Sequence, residues 1–121
     1  MSGEVSASDE QLIREGYAAF NERDLERALR TMTRDVSWAN GMDGGKVLGH
    51  AGVREYWTRQ FDTIRVRVDP LAMMRTDDGR IAVKVHQVVR NVAGEMLAER
   101  DGTHIYRLRD GLVEDFEIAG D

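Results

Sequence analysis

The stretch AGVREYWTRQFDTIRVRVDP, residues 51–70, decides the fold class because its hydrophobic period changes within it. Its first part repeats every three and four residues, which is the one-sided stripe of an amphipathic helix. The stripe comprises Val53, Tyr56, Trp57, Gln60, Phe61 and Ile64. From Arg65 onward apolar and polar residues alternate, which is the period of a β-strand. We therefore expect a helix that begins near Ala51 and is followed directly by a strand.

Four strands are predicted beyond this helix, because three turn signals divide the rest of the sequence. The signals are Asp78-Gly79, Ala93-Gly94 and Asp110-Gly111. Consecutive strands joined by tight turns form an antiparallel meander, and no crossover helix separates them. The sequence therefore predicts an α+β protein rather than an α/β protein. Pro70 should mark a bulge or an edge position in the first of these strands.

The first third of the chain is predicted to be helical. Residues 8–11, SDEQ, have the spacing of a capping box, so the first helix should start there, after a disordered tail at residues 1–7. The apolar stripe of this helix comprises Leu12, Ile13, Gly16, Tyr17 and Phe20. Asp24 is the expected N-cap of a second, shorter helix. The length suits one hydrophobic core, so residues 8–121 are predicted to form a single domain.

One strand is expected between the second and third helices. Residues 35–40 alternate in polarity, which places Val36, Trp38 and Asn40 on one face. The following residues 41–49 contain four glycines. This composition is typical of a flexible loop, and we expect it to act as a lid or to line the mouth of a pocket.

The two faces of the predicted sheet differ in charge, and this difference orients the candidate site residues. The faces that should contact the helices carry Ile81, Val83, Val85, Gln87 and Val89 in one strand and Ala98, Arg100, Gly102, His104, Tyr106 and Leu108 in the next. The opposite faces carry Lys84, His86, Glu99, Asp101, Arg107 and Arg109, together with Arg90. We therefore expect His104 to point inward, although a one-residue bulge would reverse its direction.

Composition excludes several classes of function. The chain has 22 acidic and 17 basic residues, a net charge of −5, and no basic run that could follow a phosphate backbone, so nucleic acid is not an expected partner. It has no cysteine, which excludes disulfides, thiolate metal sites and cysteine nucleophiles. No membrane-spanning run or signal peptide is apparent, so we expect a cytoplasmic protein.

Five short stretches, in this order and spacing, resemble the nuclear transport factor 2-like (NTF2-like) proteins. They are YAAFN (17–21), DL (24–25), RDVSW (34–38), GHAGVREYW (49–57) and HIYRLRDG (104–111). Within that superfamily the chain is similar to ketosteroid isomerase and to the SnoaL-type polyketide cyclases. The resemblance implies three N-terminal helices packed in a strongly curved antiparallel sheet, a cone with a hydrophobic pocket, and a homodimer joined through the outer face of the sheet.

The resemblance also implies roles for three residues. Tyr17 matches the catalytic tyrosine of the isomerase, Asn40 its general-base aspartate, and His104 its protonated aspartate, which donates a hydrogen bond. An amide cannot accept a proton, so Asn40 disfavours steroid-type isomerisation. In the cyclases an acid/base residue occupies the position of His104. If the protein is an enzyme, His104 is the expected acid/base, Tyr17 a hydrogen-bond donor and Asn40 a ligand-orienting amide.

Three hypotheses about function stay open at this point. The first is a SnoaL-like protein that binds a small, largely apolar, oxygenated molecule and performs cofactor-free isomerisation, cyclisation or hydration. The second is a non-catalytic ligand-binding or dimerisation module, in which the same residues only fill the cone. The third is a partner protein that acts through its sheet face. The expected ligand-contacting residues are Trp38, Trp57, Phe20, Phe61, Gln87 and Tyr106. His86 and His104 lie in consecutive strands but lack metal-ligand spacing, so we expect no metal and no cofactor.

Overall fold

The computed structural model describes residues 3–119 and confirms the α+β class. Its elements, in chain order, are α1 (Ala7–Asn21), α2 (Leu25–Leu29), β1 (Met32–Ala39), β2 (Lys46–Leu48), α3 (Gly49–Thr63), β3 (Ile64–Arg75), β4 (Ile81–Asn91), β5 (Met96–Arg109) and β6 (Leu112–Ile118). Across the described residues, no helix is both long enough and apolar enough to cross a membrane.

The strands form one sheet in the order β2-β1-β6-β5-β4-β3. Strands β3 to β6 form the predicted antiparallel meander, whereas β1 runs parallel to β6. Residues of β1, β3, β4, β5 and β6 line one common cavity, which requires the sheet to curl around the helices. The resulting three-helix cone is the fold that the resemblance predicted.

The glycine-rich segment at residues 41–49 is only partly the loop that we predicted. It contains β2, which pairs antiparallel with β1 through the partners Trp38 and Val47. A three-residue strand is too short for its alternation to be recognised in the sequence, and this explains the missed element. The loop is therefore reduced to a hairpin turn between two paired strands.

Helix boundaries differ slightly from the prediction at the N-terminus. The N-cap of α1 is Ser6, whose hydroxyl accepts a hydrogen bond from the Asp9 amide at 3.2 Å, rather than Ser8. Both serines lie near the start of the same helix, and the earlier one, Ser6, forms its N-cap. Val5 also packs against the core. The predicted disorder of residues 1–7 stays a prediction, and Met1 and Ser2 lie outside the described residues. The predicted N-cap of α2 is confirmed, because Asp24 accepts a hydrogen bond from Arg27 N.

The orientation of the long strands is confirmed. His104 is buried and opposes Val83 in the register of β4 and β5, so both face the helices. The predicted outer-face cations Lys84, Arg90 and Arg107 are exposed. The pairing of β3 with β4 shifts between Pro70 and Ala72, on an edge strand, so both expectations for the proline are met.

Asn21 fastens the end of α1 to the edge of the sheet. Its amide nitrogen donates to the Val68 carbonyl at 2.8 Å, and its amide oxygen accepts from the Val68 amide at 2.9 Å. The side chain thus takes the place of a neighbouring strand at one position of β3, whose outer edge would otherwise be unpaired there. This contact fixes α1, and with it Tyr17, relative to the sheet.

We predict that Asn21→Ala lowers the free energy of unfolding by about 1–3 kcal/mol, because two backbone groups lose their partner. Urea denaturation measures the change. Glu22→Ala is the matched control on the same helix end, where an exposed ion pair with Arg27 is removed and about 0.5 kcal/mol or less is expected. Equal effects of the two substitutions would contradict the anchoring role of Asn21.

Candidate functional site

A cavity of about 870 Å³ lies between the helices and the curved sheet. This size is typical of pockets that hold small organic molecules. Its walls are mainly apolar and aromatic, and its polar lining residues include Tyr17, Asn40, Gln60, Gln87, Arg100, His104 and Tyr106. The cavity is therefore suited to a ligand that is largely apolar and carries a few oxygen atoms.

Tyr17 and His104 meet in the buried part of this cavity. The Tyr17 Oη and His104 Nδ1 atoms are 2.8 Å apart and form a hydrogen bond. Tyr17 is 6% exposed and His104 is 7% exposed. The two residues are brought together because both side chains line the same cavity, Tyr17 from α1 and His104 from β5. The structure thus joins two of the three residues that the sequence singled out.

Burial determines the protonation of this pair. Loss of water lowers the pKa of His104 to about 4, so the imidazole is neutral at pH 7. Burial, assisted by the neighbouring Tyr106 hydroxyl, raises the pKa of Tyr17 well above its ordinary value, so the phenol keeps its proton. Neither group therefore carries a charge in the resting state, and the hydrogen bond joins a neutral phenol to a neutral imidazole.

The second imidazole nitrogen, Nε2, is available to contact a ligand. His104 Nε2 has no hydrogen-bond partner within residues 3–119, whereas Nδ1 is held by Tyr17. A neutral imidazole carries one proton, so Nε2 is a donor in one tautomer and an acceptor in the other. In the tautomer with the proton on Nδ1, Nε2 carries the lone pair, and because His104 lines the cavity this nitrogen is available as a base.

An aromatic layer shields the pair from water. The Phe116 ring contacts the edge of His104 at a centroid distance of 4.8 Å and Tyr106 at 5.1 Å, and it stacks on Trp38 at 4.1 Å. Burial also raises the pKa of Tyr106, so its hydroxyl stays protonated and can donate. The same aromatic groups that desolvate His104 therefore provide a flat wall for a ligand.

Asn40 lines the cavity, but its amide oxygen accepts hydrogen bonds from backbone amides. This oxygen accepts hydrogen bonds from the Met42 amide at 3.0 Å and the Asp43 amide at 2.8 Å. These bonds close the turn between β1 and β2, as expected of an Asn-Gly pair. The role of Asn40 as a ligand-orienting amide stays a prediction, and it is restricted to the amide nitrogen.

The remaining candidate residues divide into two groups. Those that line the cavity are Trp38, Trp57, Phe20, Gln87 and Tyr106. Phe61 does not line it and instead packs against Phe20 and Trp57, at centroid distances of 5.6 and 6.2 Å. The apolar stripe of α3 is wider than the part of the helix that faces the cavity. A residue at the side of the stripe, such as Phe61, therefore packs against other side chains and does not line the cavity.

His86 and His104 lie on opposite faces of the sheet and are not neighbours. The His86 ring bonds to Asp101 and Glu99 on the outer face, both at 2.7 Å, and these carboxylates raise the pKa of His86. Among residues 3–119, no group of three or more metal-ligating side chains is arranged to hold a metal ion.

Gln60 is a cavity residue that sequence reasoning assigned only to packing. Its side chain is 9% exposed, and its Oε1 atom has no hydrogen-bond partner within the described part of the chain. A buried amide without a partner is costly unless a ligand or water satisfies it. In the sequence, Gln60 could have been recognised as a single polar residue in the apolar stripe of α3. Its unpaired oxygen indicates a second polar contact for a ligand.

We predict that His104 makes the folded protein acid-sensitive. Its pKa is lowered on folding, so the unfolded chain binds a proton between about pH 4 and 6.5 that the folded chain does not. Its contribution to stability is complete above about pH 6.5 and falls by about 3 kcal/mol on acidification to pH 4. Urea unfolding at both pH values should show that His104→Asn removes this part of the pH dependence.

His86→Gln serves as the control for this experiment, because His86 lies on the outer face and its pKa is shifted in the opposite direction. This variant should keep the acid sensitivity that His104 causes. A pH dependence that is unchanged by His104→Asn would show that the imidazole is not desolvated.

Comparisons with known proteins agree with this geometry. A sequence model of the SnoaL-like domain matches residues 13–116. The solved structure of TerC crystallised with polyporic acid is 30% identical, with a TM-score of 0.82, and the match covers 95% of this chain and 92% of TerC. An NTF2-like protein of unknown function from Burkholderia pseudomallei is 29% identical, with a TM-score of 0.82 and coverage of 96% and 92%.

A more distant match shares only the fold. The Mycobacterium tuberculosis protein crystallised with estradiol-17β-hemisuccinate is 17% identical, with a TM-score of 0.79 and coverage of 96% and 95%. No functionally curated protein matches the chain. The resemblance inferred from the sequence is confirmed, and the chain belongs to the SnoaL-like family of NTF2-like proteins.

Proposed function

We propose that this protein binds a small, largely apolar molecule with a ketone or related carbonyl group and catalyses cofactor-free proton transfer on it. The observation that carries the proposal is the buried Tyr17–His104 hydrogen bond, at 2.8 Å, beside a cavity of about 870 Å³. TerC, at 30% identity, was crystallised with the organic acid polyporic acid, which supports a small-molecule ligand for this cavity as well.

In the proposed mechanism the Tyr17 hydroxyl donates a hydrogen bond to the ligand carbonyl and accepts one from His104 Nδ1. The Nε2 lone pair removes a proton from the carbon next to that carbonyl. The C–H electrons move onto the carbonyl oxygen, so an enolate forms as the imidazole becomes cationic. Donors fixed in an apolar site stabilise such an oxyanion more than water does. Charge is thus created as an adjacent pair beside the buried side chains of Tyr17 and His104.

The strength of the base is adequate for this step. The pKa of His104 is lowered to about 4, close to the value of about 4.6 for the aspartate base of ketosteroid isomerase, which removes a carbon-bound proton with the help of an oxyanion hole. Return of the proton to another carbon gives isomerisation. Attack of the enolate on a second carbonyl of the same molecule gives cyclisation. Both products follow from one intermediate, and the ligand determines which one forms.

A second candidate function is ligand binding without turnover, and Asn40 favours it. The position that matches the base of the isomerase carries an amide, whose oxygen already closes the β1–β2 turn. In this alternative Tyr17 and His104 orient a ligand but move no proton. The two functions differ in one observable, which is exchange of the carbon-bound hydrogen.

We predict that the protein exchanges hydrogen for deuterium next to the carbonyl of aryl ketones in D₂O. The probes are 1-tetralone, acetophenone and a panel of larger polyketide-like ketones that raise the melting temperature of the protein. Mass spectrometry measures the incorporation of deuterium. His104→Asn should slow exchange by about 100-fold or more, which is typical of the loss of a general base, and Tyr17→Phe should slow it by about 100-fold through loss of the oxyanion donor.

His86→Gln is the matched control, because it removes an imidazole from the outer face and leaves the cavity unchanged. It should exchange the ketones at the wild-type rate. Ketones that bind wild type without enzyme-dependent exchange would refute proton transfer and favour the binding function.

We also propose that the protein forms a homodimer through the outer face of its sheet. The support is the mixture of exposed charges on β4 and β5, where Lys84 and Arg90 lie near Glu99 and Asp101. A two-fold contact places the same patch of both subunits face to face, so a patch that carries both signs of charge can complement itself. Light scattering after gel filtration should give about 27 kDa, twice the 13.7 kDa of one chain. A mass near that of one chain at micromolar concentration would contradict the dimer.

A further inference from the structure

Arg100 carries a positive charge into the open end of the cavity. It belongs to the inward-facing set of β5, with Gly102 and His104, and it lies opposite Gln87 of β4. Arg100 is exposed, as is the lining residue Met42, whereas His104 is buried. One wall of the cavity therefore has a cation at its mouth and the imidazole in its interior.

The protein does not neutralise this cation. The other charged lining residue is Asp101, whose carboxylate bonds to His86 Nδ1 at 2.7 Å on the outer face of the sheet. Within residues 3–119, Arg100 has neither an ion-pair partner nor a hydrogen-bond partner. The other ionisable groups of the lining are phenols and the neutral imidazole of His104, so no carboxylate competes for the guanidinium inside the cavity.

Gly102 leaves the wall open between Arg100 and His104. A Cβ atom built on it would have one neighbour within 4 Å, Val85 Cγ2 at 3.9 Å, so close packing does not require a glycine. Its φ angle also lies outside the left-handed region that favours glycine. The missing side chain therefore enlarges the cavity along the strand, between the buried pair and the cation.

The spacing along β5 sets the length of the molecule that could use both ends. Residues in an antiparallel strand rise about 3.4 Å each, so Arg100 and His104 are separated by about 13–14 Å along the strand. The flexible side chain of Arg100 can extend toward His104, and this shortens the distance that a ligand must span. A ligand that contacts both groups has two polar ends joined by an apolar body about 10 Å long, which the aromatic walls can cover.

We propose that Arg100 binds an anionic group, such as a carboxylate, at one end of an elongated ligand whose carbonyl end lies at His104. The guanidinium forms paired, charge-assisted hydrogen bonds with a carboxylate, and these bonds are stronger than those of neutral groups. A local cation is also needed to attract an anionic ligand to a protein with a net charge of −5. The assignment of the inner end rests on the proposed function, whereas the role of Arg100 does not.

Matched acid and ester probes test this assignment. The probes are phenyl ketones in which four to eight methylene groups separate the ketone from a carboxylic acid, together with their methyl esters. Trp38 and Trp57 both line the cavity, so quenching of the intrinsic fluorescence reports binding. The best acid should bind wild type about tenfold or more tightly than its ester, and Arg100→Gln should remove this preference while leaving ester affinity unchanged.

Arg107→Gln is the matched control, because Arg107 is exposed on the opposite face of the same strand. It should keep the acid preference of wild type. Equal affinities of wild type for acid and ester, a preference that survives Arg100→Gln, or the failure of every acid to bind wild type would each overturn the role of Arg100.

Substitutions at Gly102 test the path between the two ends. Gly102→Val should weaken the best long acid by about tenfold and weaken acetophenone binding much less, and Gly102→Ala should have a smaller effect in the same direction. Equal weakening of both probes by Gly102→Val would overturn the proposed path. Hydrogen exchange into acetophenone tests Tyr17 and His104 without Arg100, so a failure of proton transfer is distinguishable from a failure of anion binding.

Discussion

The hydrogen bond between Tyr17 Oη and His104 Nδ1 is the contact on which the site depends. It joins α1 to β5 inside the cone, and it occupies Nδ1, so that Nε2 is the ring nitrogen left for a ligand. Burial without a charged partner keeps the imidazole neutral. A carboxylate at hydrogen-bonding distance would instead favour the imidazolium form and remove the lone pair. The chemistry of the site therefore follows from a neutral partner in a water-poor environment.

Residues both next to the hydrogen bond and further from it maintain this environment. Phe116 packs against the imidazole, Trp38 stacks on Phe116, and Asn21 holds α1 against the sheet edge at Val68. Toward the mouth the lining becomes polar, with Gln87 and Arg100 paired across β4 and β5. The cavity thus changes along its length from a buried interior with neutral donors to an exposed end with a cation. This gradient is what a ligand with one carbonyl end and one anionic end requires.

The strand period and the turn signals were sufficient to predict the meander and the direction of His104. In a long strand, alternate residues lie on the same face of the sheet. Two features were not predictable in this way. Strand β2 is too short to show a period, and Phe61 belongs to the stripe of α3 but lies beside the cavity, since the width of a stripe does not reveal which part is covered. Gln60 and Arg100 were visible as polar residues on apolar faces, but their lack of partners is a property of the tertiary structure.

The most direct test of the central claim is a pH titration of the His104 imidazole by NMR, with the ring nitrogens labelled with ¹⁵N. A desolvated ring bonded to Tyr17 should stay neutral down to about pH 4, and addition of a bound ketone should shift Nε2 more than Nδ1. A titration midpoint near the ordinary value of about 6.5 would show that water reaches the ring. That result, or a ring that does not respond to any bound ligand, would contradict the site.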